Sequence, residues 1–255
     1  MRKILLEKPV RITACICPTV ELMASPWARF PIDLFNTIMH MVQEKIKEAP
    51  FRLTDDNGTD LTGSMKRWAK GQGYLGSPTR RKGSWGFFPP GEIVHHPESP
   101  VDGIIVFETL EGFKGLLKEP VRLTIKDHRV MKVEGGPEAK WFERMMGKYE
   151  NGNYLCELAC GLNPKASISL GLEQKAPDTI LYRHSGVFHC GVGLWAFDGV
   201  PLSEFHWDGG GLKPTLYVGE ELIVDRGRLT ILDDARLVEE AKKYGDPEEL
   251  LAEEL

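Results

Sequence analysis

The sequence predicts an α+β protein built on a curved mixed or antiparallel sheet, half-barrel-like, with a few flanking helices. Two observations carry this. From Phe51 onward the chain is a succession of short alternating or apolar segments separated by turn signals. Strong helical periodicity is confined to a stretch before that region, one stretch inside it and an acidic tail after it.

Taken in order, Val10-Arg11-Ile12-Thr13-Ala14-Cys15-Ile16 alternates as a strand does, and Ser25-Pro26-Trp27 reads as loop. Residues 31–48 place Leu34, Ile38, Met41, Val42 and Ile46 on one helical stripe, with Pro31 suited to the first turn. Beyond Phe51 the strands are punctuated by Asp55-Asp56-Asn57-Gly58, Gly135-Gly136, Asn151-Gly152-Asn153 and Asp198-Gly199. A helix is expected over Pro137 to Tyr149, where Ala139, Phe142, Met145 and Met146 recur at helical spacing. The tail from Asp233 is helical, with Asp246-Pro247 opening a second short helix and its carboxylates read as a solvated face. Gly71 to Gly86 reads as a long surface loop. The expected organisation is a reduced strand-helix segment over residues 1–50, a metal-binding α+β region over 51–232, and the acidic tail over 233–255.

Composition removes several function classes. A net charge of −5 gives no support to a nucleic-acid surface. The first ten residues carry charge on both sides of a very short apolar run, unlike a secretory signal, and no segment is long enough to span a bilayer, so a cytoplasmic location is expected. Five cysteines, an odd count without export signals, argue against a disulfide framework. Two motif matches fail on context. Gly71-Gln-Gly-Tyr-Leu-Gly76 lacks the buried strand that a dinucleotide site requires, and Asp55 to Asp60 lacks the glycine position and closing glutamate of an EF-hand, which leaves a hairpin turn.

Chemistry concentrates in four places. In a strand, Phe205-His206-Trp207-Asp208 puts an imidazole and a carboxylate on one face with Trp207 on the other, a chelating arrangement followed by Gly209-Gly210-Gly211, which leaves space beside a ligand. In Ser185 to Gly193, alternation places His189 on a face otherwise occupied by Val187, Gly191 and Gly193, where packing gives no reason for a histidine; by itself a core histidine satisfied by a carbonyl is the competing reading. Glu157 stands in the middle of the apolar strand Tyr154-Leu-Cys-Glu-Leu-Ala-Cys-Gly161, where an unpaired carboxylate costs several kcal/mol unless a cation or partner meets it. Cys156 and Cys160 then fall on the opposite, core-facing side. Glu92 follows a rigid Pro89-Pro90-Gly91 corner, and by spacing alone it could equally be a solvent-facing glutamate at a strand start. Together Glu92, Glu157, His189, His206 and Asp208 form a candidate set of metal ligands, with His184 assigned to a loop or supporting position.

These same stretches, Pro89-Pro-Gly-Glu92, Cys156-Glu157-Leu-Ala, Gly161-Leu-Asn163-Pro164, Gly186-x-x-His189 and His206-x-Asp208, resemble the thermophilic aminopeptidase T family of metallopeptidases and the related 2,5-dihydroxypyridine dioxygenases. The similarity runs from about Arg52 to Val224. The aminopeptidase resemblance implies two divalent ions, zinc, cobalt or manganese, bridged by Glu92, with Glu157 and His189 on one and His206 and Asp208 completing the pair. It also implies hydrolysis of an amide or peptide bond by metal-activated water. Independently of the resemblance, Glu173 is taken as a spare carboxylate to serve as general base. A tyrosine that this branch places shortly after its counterpart of His189 is missing around Trp195, Ala196 and Phe197. The dioxygenase resemblance implies a single Fe(II) instead, although that branch carries a histidine at the position of Glu157 and a serine near His189. The metallohydrolase is the expected activity, ring-cleaving dioxygenation the alternative, and a catalytically degenerate binding or assembly protein the third. The expected partners are a small-molecule or short-peptide substrate and a second copy of the chain in a homodimer, without nucleic acid or membrane.

Overall fold

The structure is a computed structural model that describes residues 11–17, 19–46, 49–65, 84–95, 97–174, 180–193 and 202–255. Strand β1 (Arg11–Cys15) is followed by the short helices α1 (Val20–Ala24) and α2 (Pro26–Arg29). Ser25-Pro26-Trp27 is therefore not loop: Pro26 sits at the first helical position, where its missing N–H costs nothing. Helix α3 (Ile32–Lys45) buries Leu34, Phe35, Ile38, Met39, Met41 and Val42, the expected stripe, with Pro31 one residue ahead at the cap.

The strand region runs through β2 (Pro50–Thr54), β3 (Asp60–Met65), β4 (Ser84–Phe88), β5 (Glu92–His95), β6 (Pro97–Phe107), β7 (Thr109–Leu110), β8 (Val121–Lys126) and β9 (Arg129–Glu134). Helix α4 (Pro137–Met146) interrupts it, then β10 (Leu155–Gly161), α5 (Ile168–Leu172), β11 (Phe188–Val192), β12 (Trp207–Gly211), β13 (Thr215–Val218), β14 (Glu221–Asp225) and β15 (Arg228–Leu229). Helices α6 (Ala235–Ala241) and α7 (Pro247–Leu251) close the chain.

The fold is α+β, as expected, with most of its strands in two large antiparallel sheets. An eight-stranded sheet has the order β15-β14-β13-β2-β3-β6-β8-β9, and a five-stranded sheet the order β5-β10-β11-β12-β7; neither closes into a barrel. Parallel strand pairing is confined, among the described residues, to β1 and β4, so Gly86 belongs to a strand rather than to the expected loop. The remainder of that loop, the Gly71 to Gly76 motif and Asp198-Gly199 lie outside the described residues. The Asp55 turn is a β2–β3 hairpin in which the Asp55 carboxylate accepts the N–H groups of Asn57 at 2.8 Å and Thr59 at 3.0 Å.

One apolar core joins the three expected segments. It contains Phe35 and Ile38 of α3, Leu53, Leu61 and Leu123 of the larger sheet, Leu158 and Phe188 of the smaller, and Leu237 and Leu251 of the tail. Helix α4 packs on β8 and β9 and sets Phe142 edge-on between Phe107 and Phe205, at 6.5 and 5.9 Å between ring centroids. The tail's carboxylates are not all solvated as expected. Glu253 accepts the Ser185 hydroxyl at 2.7 Å and pairs with Arg228 at 3.2 Å, and Glu254 pairs with Lys165 at 3.3 Å, tying the tail to the loop that precedes β11. No helix among the described residues is long and apolar enough to cross a membrane.

Candidate metal centre

Strands β5, β10 and β11 are buried along their whole length, and β12 is buried from Asp208 onward. One face of the five-stranded sheet contributes to the core; the other carries the ionisable residues. Antiparallel register explains how they meet. Glu157 lies opposite Gly191, and Gly191 lies opposite Asp208, so the two carboxylates flank a glycine in one row across three strands. His189 is two residues from Gly191 on the same face, and Glu92 pairs with Gly161, which shares the Glu157 face. His206 enters from just before β12.

Gly191 makes this row possible. A Cβ there would lie 2.6 Å from His206 Cε1 and 2.7 Å from Glu157 Cγ, so the space a side chain would fill is occupied by the two flanking donors. The triple glycine of β12 does something different from what the sequence suggests. The room above Gly209 is filled by the Phe107 ring and that above Gly211 by the Phe188 ring, while a Cβ at Gly210 would meet the Phe188 carbonyl oxygen and the Tyr182 ring. Those glycines admit packing, not ligand.

The polar atoms converge. His189 Nε2 is 3.5 Å from Glu92 Oε2 and 3.8 Å from Glu157 Oε1; His206 Nε2 is 3.9 Å from Glu157 Oε1 and 3.3 Å from Asp208 Oδ1. Glu157, His189 and Asp208 each offer a donor atom within 4.8 Å of the other two. Side-chain exposure rises from 3% at Glu92 and His189 to 22% at His206, so the centre is deep at one end and opens beside His206.

The electrostatics ask for a cation. Burial, and then the neighbouring Asp208, push the Glu157 carboxyl up to about 7. Burial, with Arg183 adding to it, holds His189 well below the usual histidine range and therefore neutral. Burial alone would lower His206, but Asp208 and Glu157 outweigh it and raise it. His206 Nδ1 faces the Gly193 carbonyl at 2.5 Å; as the donor there it leaves Nε2 turned to the carboxylates, as metal-bound histidines are commonly oriented. The His189 ring stacks on Tyr182 with centroids 4.7 Å apart, and the Tyr182 hydroxyl is 3.1 Å from the Thr109 hydroxyl. The donor set, two imidazoles and carboxylates in a low-dielectric pocket, fits a divalent transition metal.

Of the five expected ligands, Glu157, His189 and Asp208 offer donor atoms within 4.8 Å of one another, and His206 adjoins Glu157 and Asp208. Glu92 is adjacent, and its Oε2 is held by the Arg183 guanidinium. One expectation is corrected: Glu173 is an exposed residue capping the C-terminal end of α5 and is not among the residues these contacts bring together. Cys156 is buried, as expected, but outside the main apolar cluster: the register shift between Leu155 and Glu157 places its Sγ 3.9 Å from His206 Nδ1 and within hydrogen-bond reach of the Gly191 and Gly193 carbonyls. Cys160 is core, as expected. His184 supports the loop, its Nδ1 2.5 Å from the Ala166 carbonyl. Trp195 to Phe197 lie outside the described residues. Arg183, Tyr182 and Thr109 were not singled out from the sequence. Arg183 ends the apolar run Ile180-Leu181-Tyr182, and a buried charge there is the signal that identified Glu157.

The profile of the 2,5-dihydroxypyridine 5,6-dioxygenase (NicX) family matches residues 23–231. The chain belongs to this family. Among solved structures, 2,5-dihydroxypyridine dioxygenase from Pseudomonas putida KT2440 is similar with a TM-score of 0.74 at 20% identity, over 89% of this chain and 67% of that one. AmpT from Thermus thermophilus is similar with a TM-score of 0.59 at 16% identity, over 82% of this chain and 56% of that one. At these identities the likeness is one of fold, and the chain spans little more than half the length of AmpT. No curated protein matches the chain. The resemblance to both branches, first carried by short motifs, is thus matched by the family and by the architecture.

Proposed function

We propose that this protein is a mononuclear metal-dependent dioxygenase that opens a hydroxylated nitrogen-heteroaromatic ring, with Glu157, His189, Asp208 and His206 holding the ion. The carrying observation is the compact cluster found among the described residues: three donors mutually within 4.8 Å are spaced to share one ion at ordinary ligand distances of about 2.0–2.2 Å. Membership of a dioxygenase family supports the same reading. A bound Fe(II) would supply a redox-capable Lewis acid with open coordination positions.

The protein's own groups do the rest. Glu157 and Asp208 provide negative charge from fixed positions in the sheet, and neutral His189 is oriented by its stack on Tyr182. His206, the most exposed of the four, borders the mouth with its orientation set by the Gly193 carbonyl. A flat hydroxylated ring reaches the centre from that side.

The test is purification without a metal-binding tag under exclusion of air, followed by elemental analysis and oxygen-electrode measurements with 2,5-dihydroxypyridine. The expected result is about one iron per chain, with oxygen uptake matching the loss of ring absorbance. Two non-redox ions per chain and no oxygen uptake would sink the proposal. Such a result would favour the second reading, a metallohydrolase acting on an amide bond with zinc, cobalt or manganese. What supports that reading is Glu92, a further carboxylate 3.5 Å from His189 Nε2.

A further inference from the structure

Glu92 stands on the ligand face, close enough to His189 to serve a second ion, yet its Oε2 is held by Arg183 Nη1. We infer that Arg183 is a positioning residue that claims the Glu92 carboxylate and so limits the centre to one metal ion. The inference rests on the single-ion reading above and explains why five potential donors would hold one ion.

Arg183 is not a surface arginine that happens to reach Glu92. Its side chain is 6% exposed, and its stem lies directly over Gly91, where a Cβ would come within 2.2 Å of Arg183 Cβ and 2.8 Å of Cδ. The Pro89-Pro90-Gly91-Glu92 corner thus provides both the bed for the arginine stem and the carboxylate it grips. The guanidinium carbon lies 5.7 Å from the Phe87 ring centroid. The backbone is fixed independently: the Arg183 carbonyl accepts the Asn163 N–H at 2.9 Å, and the absent Cβ of Gly161 admits the adjoining His184 carbonyl. Asn163 in turn donates to the Pro90 carbonyl at 3.1 Å, joining the arginine loop to the corner.

Charge balance points the same way. A guanidinium stays protonated in a protein, so in this buried site it acts as a permanent cation. Three carboxylates, Glu92, Glu157 and Asp208, balance one guanidinium and one dication. A second dication would leave two positive charges uncompensated in a low-dielectric pocket and would have to pull Glu92 from a charge-assisted hydrogen bond.

The experiment is metal titration by calorimetry, with ion counts by elemental analysis, using manganese and zinc as probes. It compares the wild type, Arg183→Gln, Arg183→Met and the double variant Arg183→Gln/Glu92→Gln. The wild type should saturate at about one ion, and Arg183→Gln should take up a second at least about tenfold more tightly than any second event in the wild type. The double variant, which also removes the buried carboxylate, should return to about one. If Arg183→Gln does not fold, Arg183→Met decides: it keeps an unbranched stem over Gly91 and removes the cation, so a tighter second ion is again expected. A single ion in the variants that fold, two ions in the double variant, or two in the wild type would each overturn the inference. Shifted ion counts without oxygen uptake would leave the role of Arg183 intact and remove the dioxygenase reading; oxygen uptake with unshifted counts would do the reverse.

Discussion

Replacing Glu157 by glutamine should make the metal-free protein more stable at alkaline pH while abolishing the stabilisation that metal gives. The Glu157 carboxyl is fully buried and raised from 4.5 to about 7, so the folded state binds its proton more tightly than the unfolded chain does. Between those two values the unfolded state has released the proton and the folded state has not, and stability therefore falls as pH rises through the window. The span corresponds to about 3 kcal/mol at 1.36 kcal/mol per pH unit, all of it lost by about pH 8. Glutamine keeps the shape of the neutral acid and carries no such penalty. The assay is urea denaturation of chelator-treated wild type and Glu157→Gln at about pH 5 and about pH 8, using the difference between the two proteins so that other titrating groups cancel. The variant should match the wild type at the lower pH and exceed it by about 3 kcal/mol at the higher. Adding manganese at the higher pH should raise the wild type above the variant. A variant that is destabilised equally at both pH values would refute the reasoning, because Glu157 would then be held by a specific interaction rather than strained by burial.

Gly191→Ala places a methyl 2.6 Å from His206 and 2.7 Å from Glu157, so metal affinity measured against a competing chelator should drop by at least about tenfold while the far-UV circular dichroism is kept. His206→Ala and Asp208→Ala should each lower affinity by about a hundredfold or more, read by elemental analysis after dialysis. Glu173→Ala should leave turnover and metal content unchanged, since the residue is exposed and lies outside the converging contacts; a large fall in turnover at constant KM would restore it as a base. Asp55→Ala removes two hydrogen bonds to the β2–β3 turn and should cost about 1–2 kcal/mol in a denaturant titration without altering the metal count.

The candidate donors Glu157 and His189 were legible in the sequence because each violates the pattern of its strand. A glutamate between Cys156 and Leu158, or a histidine between Phe188 and Cys190, has no place in a buried strand unless something compensates it, and alternation alone assigns each to a face. What alternation cannot do is say which strands adjoin. The row Glu157, Gly191, Asp208 depends on long-range register, and the division into two sheets depends on pairings such as β13 with β2, far apart in the chain. Cys156 is buried as alternation requires, but a bulge that breaks the period of two brings it beside His206, which no pattern in the sequence announces. The Gly209 to Gly211 run was misread because a glycine makes room without saying for what, and here aromatic rings take most of it. Arg183 carries no strand pattern to break: it ends a short 3-10 turn, Leu181–Arg183, where a charge is ordinarily solvated.

The centre and the sheet are one register problem. Glu92, Glu157, His189 and Asp208 come from four neighbouring strands, and a slip of one residue in any of them would turn its donor to the core face and an apolar neighbour to the site. With β11 slipped, Cys190 would face the carboxylates and His189 the apolar core; with β10 slipped, a leucine would replace Glu157. Only one alignment satisfies both the core and the donors, and a bound ion would stabilise that alignment alone, since the unfolded chain offers no preformed set of ligands. Metal binding is therefore expected to protect the amides of β10, β11 and β12 from hydrogen exchange more than those of the eight-stranded sheet, which contributes no donor. Equal protection of both sheets would mean that the ion stabilises the core as a whole, and uniform indifference would mean that the donors are not ligands.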